Sequence, residues 1–563
     1  MHRERGLTIV DALRRRAADT PDRRAFTFLV DGDTCELSMT YAELDARARS
    51  VARHLRERRI TDPCILAYPA GLEFIVGFFA CLYAGVPGIP AYAPRVRRPD
   101  RRIESIIADA RPAAALTTAG IAARVSAAGA GTLQTIPWIA TDALQAAPAG
   151  GSLPDVDPDG IALLQYTSGS IGTPKGVVIG HQNLIANGRT IRSVMNVTET
   201  SVWVSWLPLF HDMGLAAGLL QPVFYGGHCV LFSPAAFAQR PARWLEAISR
   251  YRATHSGAPN SAYALCARRA APAGLDLSTW DVAFCGGEPV LAGTLDRFAA
   301  AFAPSGFDPR ALLPCYGLAE ATLLVAGGPH RSGVSRCVVS APALVADRVE
   351  AAAAGDHGGR VLVANGEIPD QQVAIVNPAT QRRCGPDDVG EIWVAGPNVG
   401  RGYWQRPDES RETFGAMMAG EGGPFLRTGD MGFVRDGLLY VTGRLKDVII
   451  IHGRNYYAND IEASVDGCHD SLIPGGAAAF PAVGDEHESL VLVHEVDTPL
   501  EGGDAAVIAA IRRAVFADHE LPVGVVLVRR GAVPRTTSGK VQRSRCRQLL
   551  QTSELPLIAG SAP

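Results

Sequence analysis

Short β-rich runs alternate with segments of helical periodicity along this chain. The β-rich runs include residues 202–207, 229–232 and 282–285. One helical segment begins at a capping-box pattern formed by Thr40 and Glu43. Its apolar residues then recur at helical spacing: Leu44, Ala48, Val51 and Leu55. Strands separated by helices favour parallel sheets joined by crossovers, so the pattern predicts an α/β fold.

The pattern changes toward the C-terminus. Around residues 373–395, two β-rich runs flank a polar turn, which predicts a more antiparallel subdomain. A small C-terminal domain is expected to begin near residue 446, and within it Ile508, Ile511 and Val515 have helical spacing. We find no internal repeat and no low-complexity linker.

The apolar run at residues 74–89 raises the question of a membrane span. It is 16 residues long, whereas crossing a bilayer takes about 20 residues. Glu73, Pro87 and Pro90 flank or interrupt the run, so we predict a buried helix. The first 20 residues lack the apolar core of a signal peptide. We therefore expect a cytoplasmic protein with no membrane span.

Composition narrows the possible partners. The 563 residues are 47% hydrophobic and 20% charged, which is typical of a folded globular protein of more than one domain. The net charge of −3 argues against nucleic acid as the main partner. The 11 cysteines form no CxxC pair, so we interpret them as buried thiols in a reducing compartment.

A glycine-rich loop follows the apolar run at residues 161–164. The loop combines hydroxyls, glycines and a lysine: Thr167, Ser168, Gly169, Ser170, Gly172, Thr173 and Lys175. Glycines let the backbone approach phosphate oxygens, N–H groups and hydroxyls donate to them, and the lysine supplies the counter-charge. The spacing of a Walker A loop is absent. The loop predicts triphosphate binding, with an ordinary turn as the alternative.

Five more motifs follow in order. They are GGEP at 286–289, YGLAE at 316–320, TGD at 428–430, GRLKD at 443–447 and PRTTSGK at 534–540. Together with the loop they resemble the motifs of the adenylate-forming superfamily, which contains acyl-CoA synthetases, nonribosomal-peptide adenylation domains and beetle luciferases. Ile171 departs from that pattern, because a threonine is usual at its position.

The resemblance implies a fold and an activity. The fold would comprise a large N-terminal domain, residues 1–445, with two α/β subdomains and a smaller β-rich subdomain. A small mobile α+β C-terminal domain, residues 446–563, would follow, with Lys446 as the hinge. The activity would join a carboxylic acid to the α-phosphate of ATP and release pyrophosphate.

The resemblance also implies roles for individual residues. The catalytic residues would be Lys540, Glu320 and His211, with Mg²⁺ held by Glu320 and Thr167. The nucleotide-binding residues would be Thr167, Ser168, Gly169, Ser170, Thr173, Lys175, Gly286, Gly287, Glu288, Tyr316, Gly317, Asp430 and Arg444. Among these, Thr167 and Ser168 would hold phosphates and Tyr316 would pack on adenine. Asp430 and Arg444 would hold the ribose. His211 would lie near the substrate carboxyl, with a buried core histidine as the alternative.

Further stretches narrow the resemblance to the fatty acyl-AMP ligases. They are WLP at 206–208 with HDMG at 211–214, SPAAF at 233–237 with RPARW at 240–244 and APN at 258–260, and GRNYY at 453–457. Ala458 stands where proline is frequent. An insertion near 330–365 also resembles that family, in which the insertion is associated with acyl transfer to the phosphopantetheine of an acyl carrier protein. An ordinary surface loop is the alternative for this insertion.

Three other functions remain as alternatives. A fatty acyl-CoA synthetase would finish the reaction on CoA. An amino-acid adenylation domain is disfavoured, because His211 rather than an aspartate follows Phe210. A non-catalytic nucleotide-binding scaffold is disfavoured by the presence of Lys540, Glu320 and Asp430. The preferred interpretation is a fatty acyl-AMP ligase that uses ATP and Mg²⁺, takes a fatty acid and serves an acyl carrier protein.

Overall fold

The computed structural model describes residues 7–94, 100–128, 131–144, 153, 155–167, 174–352, 359–451, 454–481, 489–498, 500–519, 521–536 and 539–561. Its helices are α1 (Ile9–Asp19), α2 (Tyr41–Glu57), α3 (Leu72–Ala84), α4 (Arg101–Ala110), α5 (Ala119–Ala127), α6 (His181–Met195), α7 (Asp212–Leu215), α8 (Gln221–Tyr225), α9 (Pro234–Gln239), α10 (Ala242–Arg250), α11 (Asn260–Ala267), α12 (Ala292–Phe302), α13 (Ala341–Val345), α14 (Pro407–Phe414), α15 (Ala458–Ser464), α16 (Asp504–His519) and α17 (Arg543–Gln551). A π-helical turn, Ala216–Leu220, joins α7 to α8.

The strands run from the N-terminal region to the end of the described chain. They are β1 (Arg24–Leu29), β2 (Glu36–Thr40), β3 (Cys64–Tyr68), β4 (Gly88–Tyr92), β5 (Ala114–Thr117), β6 (Trp138–Ala140), β7 (Ile161–Thr167), β8 (Lys175–Gly180), β9 (Val202–Ser205), β10 (His228–Phe232), β11 (His255–Ala258), β12 (Val282–Cys285), β13 (Leu312–Gly317), β14 (Leu324–Gly327), β15 (Arg336–Ser340), β16 (Gly359–Val363), β17 (Gln372–Val376), β18 (Gly390–Ala395), β19 (Ala416–Met418), β20 (Gly422–Arg435), β21 (Leu438–Arg444), β22 (Val448–Ile451), β23 (Arg454–Tyr457), β24 (Leu472–Pro481), β25 (Leu490–Val496), β26 (Val523–Arg529) and β27 (Leu557–Ser561).

The first α/β part is built on a six-stranded sheet in the order β6–β5–β3–β4–β7–β8. Its strands pair in parallel except at β7–β8, which is antiparallel. In β3, Leu66 packs into one apolar core and Ile65 into another on the opposite face. Burial on both faces explains why the strand is a continuous apolar run rather than an alternating one.

The second α/β part has an eight-stranded sheet in the order β14–β13–β12–β11–β9–β10–β1–β2. The inner pairs are parallel, and β2 and β14 add antiparallel edges. The runs predicted as strands form β9, β10 and β12, although β9 ends at Ser205 rather than at residue 207. The capping box at Thr40 and Glu43 starts α2 as expected. The predicted parallel sheets are confirmed.

A β-rich part follows. Strands β17, β18, β20 and β19 pair in that order, β21 pairs with β20, and each pairing is antiparallel. The antiparallel subdomain predicted around 373–395 is therefore confirmed by the β17–β18 pair. The segment interpreted as an insertion contains the antiparallel pair β15–β16 and the short helix α13.

The C-terminal part carries the four-stranded sheet β24–β25–β26–β27, in which β25 and β26 are parallel. The helix predicted from Ile508, Ile511 and Val515 is α16, and its Ile511 and Val515 are buried in the core beneath this sheet. The predicted fold class, two α/β parts with a β-rich part and a small α+β C-terminal part, is confirmed. The division between residues 445 and 446 stays a prediction.

Helix α3 accounts for the apolar run at residues 74–89. Its side chains are buried all round, from Leu72 to Ala84, except at Glu73. It packs mainly against α2 and lies in the largest apolar core. Within the described parts of the chain, none of the helices combines the length and the apolar character needed to cross a bilayer.

Candidate active site

The predicted motifs meet where strands of the two sheets end. Thr167 is the last residue of β7 and pairs with Lys175, the first residue of β8. The Gln165 side-chain amide donates to the Phe210 carbonyl oxygen at 3.0 Å, which ties β7 to the loop before α7. The carboxyl ends of strands in α/β sheets are the usual location of ligand sites. Ser168, Gly169, Ser170 and Thr173, with Ile171, lie outside the described residues.

The turn after β12 brings a second motif to the same place. A Cβ on Gly286 would lie 2.7 Å from Cys315 Sγ, so a side chain there would clash with β13. Gly287 has φ +80°, a conformation that glycine adopts without strain. A Cβ on Gly287 would lie 3.6 Å from the Met213 methyl carbon, so this turn faces α7. Glu288 accepts a hydrogen bond from the Ser261 N–H at 2.5 Å.

Tyr316, Asp430 and Arg444 form one hydrogen-bonded group. The Tyr316 hydroxyl donates to Asp430 Oδ2 at 2.7 Å, and Arg444 Nε donates to Asp430 Oδ1 at 2.9 Å. Asp430 and Arg444 are opposite each other in the β20–β21 pair, which explains their proximity. Gly317 allows the chain to turn here, because a Cβ would lie 1.9 Å from the Leu323 carbonyl oxygen. The group presents a carboxylate and a guanidinium beside a tyrosine ring, which fits a nucleoside.

The Glu391 side chain supports the TGD motif through hydrogen bonds. Its carboxylate accepts from Arg427 Nε and Nη2 at 3.0 and 2.8 Å and from Trp393 Nε1 at 2.9 Å. It also accepts from the N–H of Gly429, at 3.1 Å. Because Gly429 precedes Asp430 in the chain, this buried carboxylate fixes the backbone next to the Tyr316–Asp430–Arg444 group.

Glu320 lies in a short turn, Ala319–Ala321, next to β13. Its carboxylate accepts a hydrogen bond from the Tyr403 hydroxyl at 3.1 Å, and burial raises its pKa. Within the described residues, no group of three His, Cys, Asp or Glu could hold a metal by itself. Mg²⁺ is often bound by one or two carboxylates and by substrate phosphates. The single, partly exposed carboxylate of Glu320 therefore fits a Mg²⁺ ion that arrives with ATP.

A cluster of charged side chains forms from distant parts of the chain and consists of His211, Asp212 and Lys540. His211 Nδ1 lies 2.5 Å from Asp212 Oδ1. Burial disfavours the charged form of Asp212, but His211, Lys540 and the Met213 N–H outweigh burial and lower its pKa to about 2. Asp212 is therefore ionised, and the contact of His211 with it differs from the apolar surroundings of a core histidine.

Lys540 comes from the C-terminal part and interacts electrostatically with charged residues of this site. Burial and the nearby Arg444 lower its pKa. Three carboxylates counteract this effect: Asp212, Asp430 and Glu288. The predicted catalytic lysine is thus located with the HDMG, TGD and GGEP motifs, although 110 positions separate it from Asp430 in the chain.

Lys446 lies in the turn Leu445–Asp447 between β21 and β22. The next residue, Asp447, forms an ion pair with Arg543 of α17. Arg543 also bonds both oxygens of Glu462 in α15, at 2.7 Å each. A mostly buried arginine side chain, 17% exposed, therefore links the turn to two helices of the C-terminal part.

Two comparisons of sequence test the resemblance. The sequence model of the AMP-binding enzyme family matches residues 13–404, and the model of the AMP domain of Disco-interacting protein 2-like proteins matches residues 446–559. The medium-chain-fatty-acid–acyl-carrier-protein ligase JamA of Moorena producens is 43% identical over 558 residues, which cover 96% of this chain and 94% of JamA.

Solved structures agree. A structure described as fatty acyl-adenylate ligases from E. coli and L. pneumophila matches with a TM-score of 0.88 and 33% identity, covering 97% of this chain and 98% of that chain. The L. pneumophila fatty acyl-adenylate ligase in complex with acyl adenylate and pyrophosphate matches with a TM-score of 0.77 and 36% identity. The match covers 99% of this chain and 98% of that chain. The chain belongs to the fatty acyl-AMP ligases. It is an ATP-dependent ligase of the AMP-binding enzyme family.

Sequence reasoning missed several residues of this fatty acyl-AMP ligase site. Tyr403 and Glu391 contact predicted site residues, but they are 83 and 38 positions away from their partners Glu320 and Gly429. Spacing in sequence does not predict such contacts. The rarity of lysine is a signal that supports the predicted motif lysines. The whole chain contains three lysines, and each lies in a predicted motif: Lys175, Lys446 and Lys540.

The insertion of this fatty acyl-AMP ligase touches the C-terminal part. Arg360 of β16 forms an ion pair with Asp460 of α15, and burial lowers the pKa of Arg360 to about 10. The Tyr457 hydroxyl donates to Asp347 Oδ1 at 3.2 Å. The segment therefore makes specific polar contacts, which an unattached surface loop would not make.

Proposed function

We propose that the protein activates a fatty acid with ATP and then transfers the acyl group to the phosphopantetheine thiol of an acyl carrier protein. The observation that carries the first step is the convergence of Lys540 with Asp430, Arg444 and the His211-paired Asp212. This constellation supports a site for a nucleotide and a carboxylate. JamA, a close relative by sequence, is named as a ligase of medium-chain fatty acids and acyl carrier protein.

Adenylation joins two anions, which is the difficulty that the site must overcome. A carboxylate oxygen of the fatty acid attacks the α-phosphorus of ATP, the bond to the β-phosphate breaks, and pyrophosphate leaves. Lys540 would neutralise charge at the carboxylate and the α-phosphate. Mg²⁺ bound by Glu320, with Thr167 as a further oxygen ligand, would polarise the phosphate oxygens. Tyr316, with Asp430 and Arg444, would hold the nucleoside.

Transfer is the second step. The phosphopantetheine thiolate attacks the acyl carbonyl carbon, and AMP leaves with the electrons of the broken bond. We propose that Lys446 is the hinge that lets the C-terminal domain, residues 446–563, exchange the adenylation arrangement for one that admits the thiol. The ion pairs of Arg543 with Asp447 and Glu462 would keep the residues after the hinge fixed to the rest of the domain as it moves.

We propose that the acyl chain enters at a small cavity next to Asp212, whose volume of about 20 Å³ has to widen to admit the chain. It lies between α6, the α7–α8 segment and strands β7 and β8. Its lining is mostly apolar: Leu163, Ile179, Leu184, Ile191, Leu215, Ala216, Leu220 and Phe224. Asp212 and Thr322, which lie close in sequence to His211 and Glu320, also line it. An acyl chain in this cavity would bring its carboxylate toward His211 and Lys540.

A fatty acyl-CoA synthetase remains the second candidate, because adenylation requires the same residues whichever thiol follows. The polar contacts of the insertion, at Arg360 and Asp347, favour a fixed segment beside the C-terminal part and so the carrier-protein function. The non-catalytic scaffold is not retained, since the chain belongs to a family of ligases.

The Lys540→Ala variant tests the adenylation step. Pyrophosphate release with a fatty acid should fall by at least a hundredfold, because removing a charge aimed at the transition state costs about 3 kcal/mol or more. Binding of ATP, measured by calorimetry, should change little. Arg530→Ala is the matched control, since it removes an exposed cation of the same C-terminal part. Full activity of Lys540→Ala would contradict the proposed mechanism.

A further inference from the structure

Tyr403 contacts two groups of opposite charge. Its ring centroid lies 5.0 Å from Lys175 Nζ, and its hydroxyl donates to Glu320 Oε1 at 3.1 Å. Lys175 belongs to the phosphate loop, and Glu320 is the carboxylate that fits Mg²⁺. A single side chain therefore connects the cation and the carboxylate expected at the phosphate end of the site.

The surroundings of Tyr403 hold its ring in place. Its N–H donates to Ser410 Oγ at 2.8 Å, and its ring packs edge-on against Phe414 at 5.1 Å, so α14 supports it on one side. Its backbone pairs with Val177 of β8 on the other side. Because Lys175 begins β8, the ring and the lysine share one rigid support.

Glu409 of α14 also forms an ion pair with Lys175. Both side chains are 38% exposed, and water screens such a pair strongly. A phosphate with two or more charges competes easily for this lysine. The ring, in contrast, attracts the ammonium by its face and leaves the N–H groups that point away from the ring available for phosphate oxygens.

We propose that Tyr403 is a positioning residue for the phosphate end of ATP, holding Lys175 by its ring and Glu320 by its hydroxyl. This inference rests on the proposed function of the site as an adenylation site. The ring keeps Lys175 close to the site whether or not it is paired with Glu409. The hydroxyl orients the Glu320 carboxylate toward the position at which Mg²⁺ and the phosphates would arrive.

Two substitutions separate the two contacts. Tyr403→Phe keeps the ring over Lys175 and removes the hydroxyl from Glu320. Tyr403→Leu removes both contacts. Tyr251→Phe is the matched control, because Tyr251 also donates its hydroxyl to a glutamate, Glu36, but far from the site.

Binding of an α,β-methylene analogue of ATP, measured by calorimetry with Mg²⁺ or with EDTA, tests the hydroxyl. Loss of a hydrogen bond to a charged group should weaken binding of the Mg²⁺ complex to Tyr403→Phe by about tenfold. Binding in EDTA should not change. Tyr403→Leu should bind more weakly in both conditions. In turnover, KM for Mg²⁺–ATP should rise in both variants while KM for the fatty acid stays constant.

Labelling with an amine-reactive reagent tests the ring. Since the chain has three lysines, peptide mass spectrometry resolves each one, and Lys446 serves as the internal reference. Labelling of Lys175 should be equal in wild type and Tyr403→Phe and should rise several-fold in Tyr403→Leu. Tyr251→Phe should match wild type in every measurement.

Two results would overturn the proposal. One is a Tyr403→Phe variant that binds the Mg²⁺ complex as wild type does. The other is a folded Tyr403→Leu variant with unchanged labelling of Lys175. If Tyr403→Leu does not fold, the Tyr403→Phe calorimetry decides alone. A wild-type protein that binds the nucleotide analogue but makes no acyl-AMP would contradict the proposed function and leave both tests of Tyr403 interpretable.

Discussion

Replacing Glu391 by glutamine should damage the nucleoside end of the site without touching a substrate. The Glu391 side chain is 2% exposed and accepts from four N–H groups, which belong to Arg427, Trp393 and Gly429. Gly429 has φ +69° and precedes Asp430, so its N–H fixes a turn that other residues adopt poorly. Glutamine has the same shape but lacks the charge and one of the acceptor oxygens.

The contacts give the size of the effect. Removing one partner of a buried ion pair costs about 3–5 kcal/mol. The Arg427 side chain is 30% exposed, so water compensates part of this loss. We expect about 2 kcal/mol, between the buried and the exposed cases. If this loss falls on the contacts to the nucleoside, kcat/KM for ATP drops by about 30-fold, since about 1.4 kcal/mol corresponds to a factor of ten.

Pyrophosphate release at varied ATP and saturating fatty acid measures this loss, and thermal unfolding measures the effect on stability. Glu421→Gln is the matched control, because Glu421 also accepts two hydrogen bonds from one arginine, Arg383. That pair lies at the exposed surface. That control should leave both measurements unchanged. A Glu391→Gln variant with wild-type kinetics for ATP and an unchanged midpoint of unfolding would show that Glu391 does not support the Asp430 turn.

Three further predictions concern the lysines and the cavity. Burial lowers the pKa of Lys540 below 10.5, the ordinary lysine value. Adenylation should therefore proceed while this lysine is charged and decline as pH rises through its lowered pKa. A pH profile of pyrophosphate release that stays flat beyond 10.5 would contradict this. Lys446→Pro should still accumulate acyl-AMP but fail to load carrier protein, and a parallel loss of both steps would exclude the hinge. Ala216→Phe should lower kcat/KM for the longest accepted fatty acids by about 10- to 100-fold through overpacking while sparing shorter ones, so an unchanged chain-length profile would place the acyl chain elsewhere.

Local sequence patterns predicted those helices and strands whose formation depends mainly on their own residues. Strand β12 is a four-residue apolar run, and α2 starts at its own capping box at Thr40, so both are readable from a short window. The length of the apolar run at 74–89 separated α3 from a membrane span. The strand order could not be read in this way, because pairs such as β1–β10 join segments about 200 residues apart.

The candidate site shows the same division. Motifs predicted Asp430 and Lys540 as site residues, since each lies in a short motif that can be recognised from a few neighbouring residues. The supporting contacts are properties of the fold: Glu391 meets Gly429 through pairing of β18 with β20, and Tyr403 meets Glu320 across two loops. A lone tyrosine or glutamate has no periodic or spacing signal, so these residues require the three-dimensional structure.

The proposed two-step reaction is tested most directly by offering two thiols to the same adenylate. Purified protein would receive ATP, Mg²⁺ and a panel of fatty acids, and acyl-AMP would be followed before and after addition of CoA or of a phosphopantetheinylated acyl carrier protein. We predict that acyl-AMP forms, persists with CoA and is consumed by the carrier protein. Rapid formation of acyl-CoA would contradict it and identify a fatty acyl-CoA synthetase.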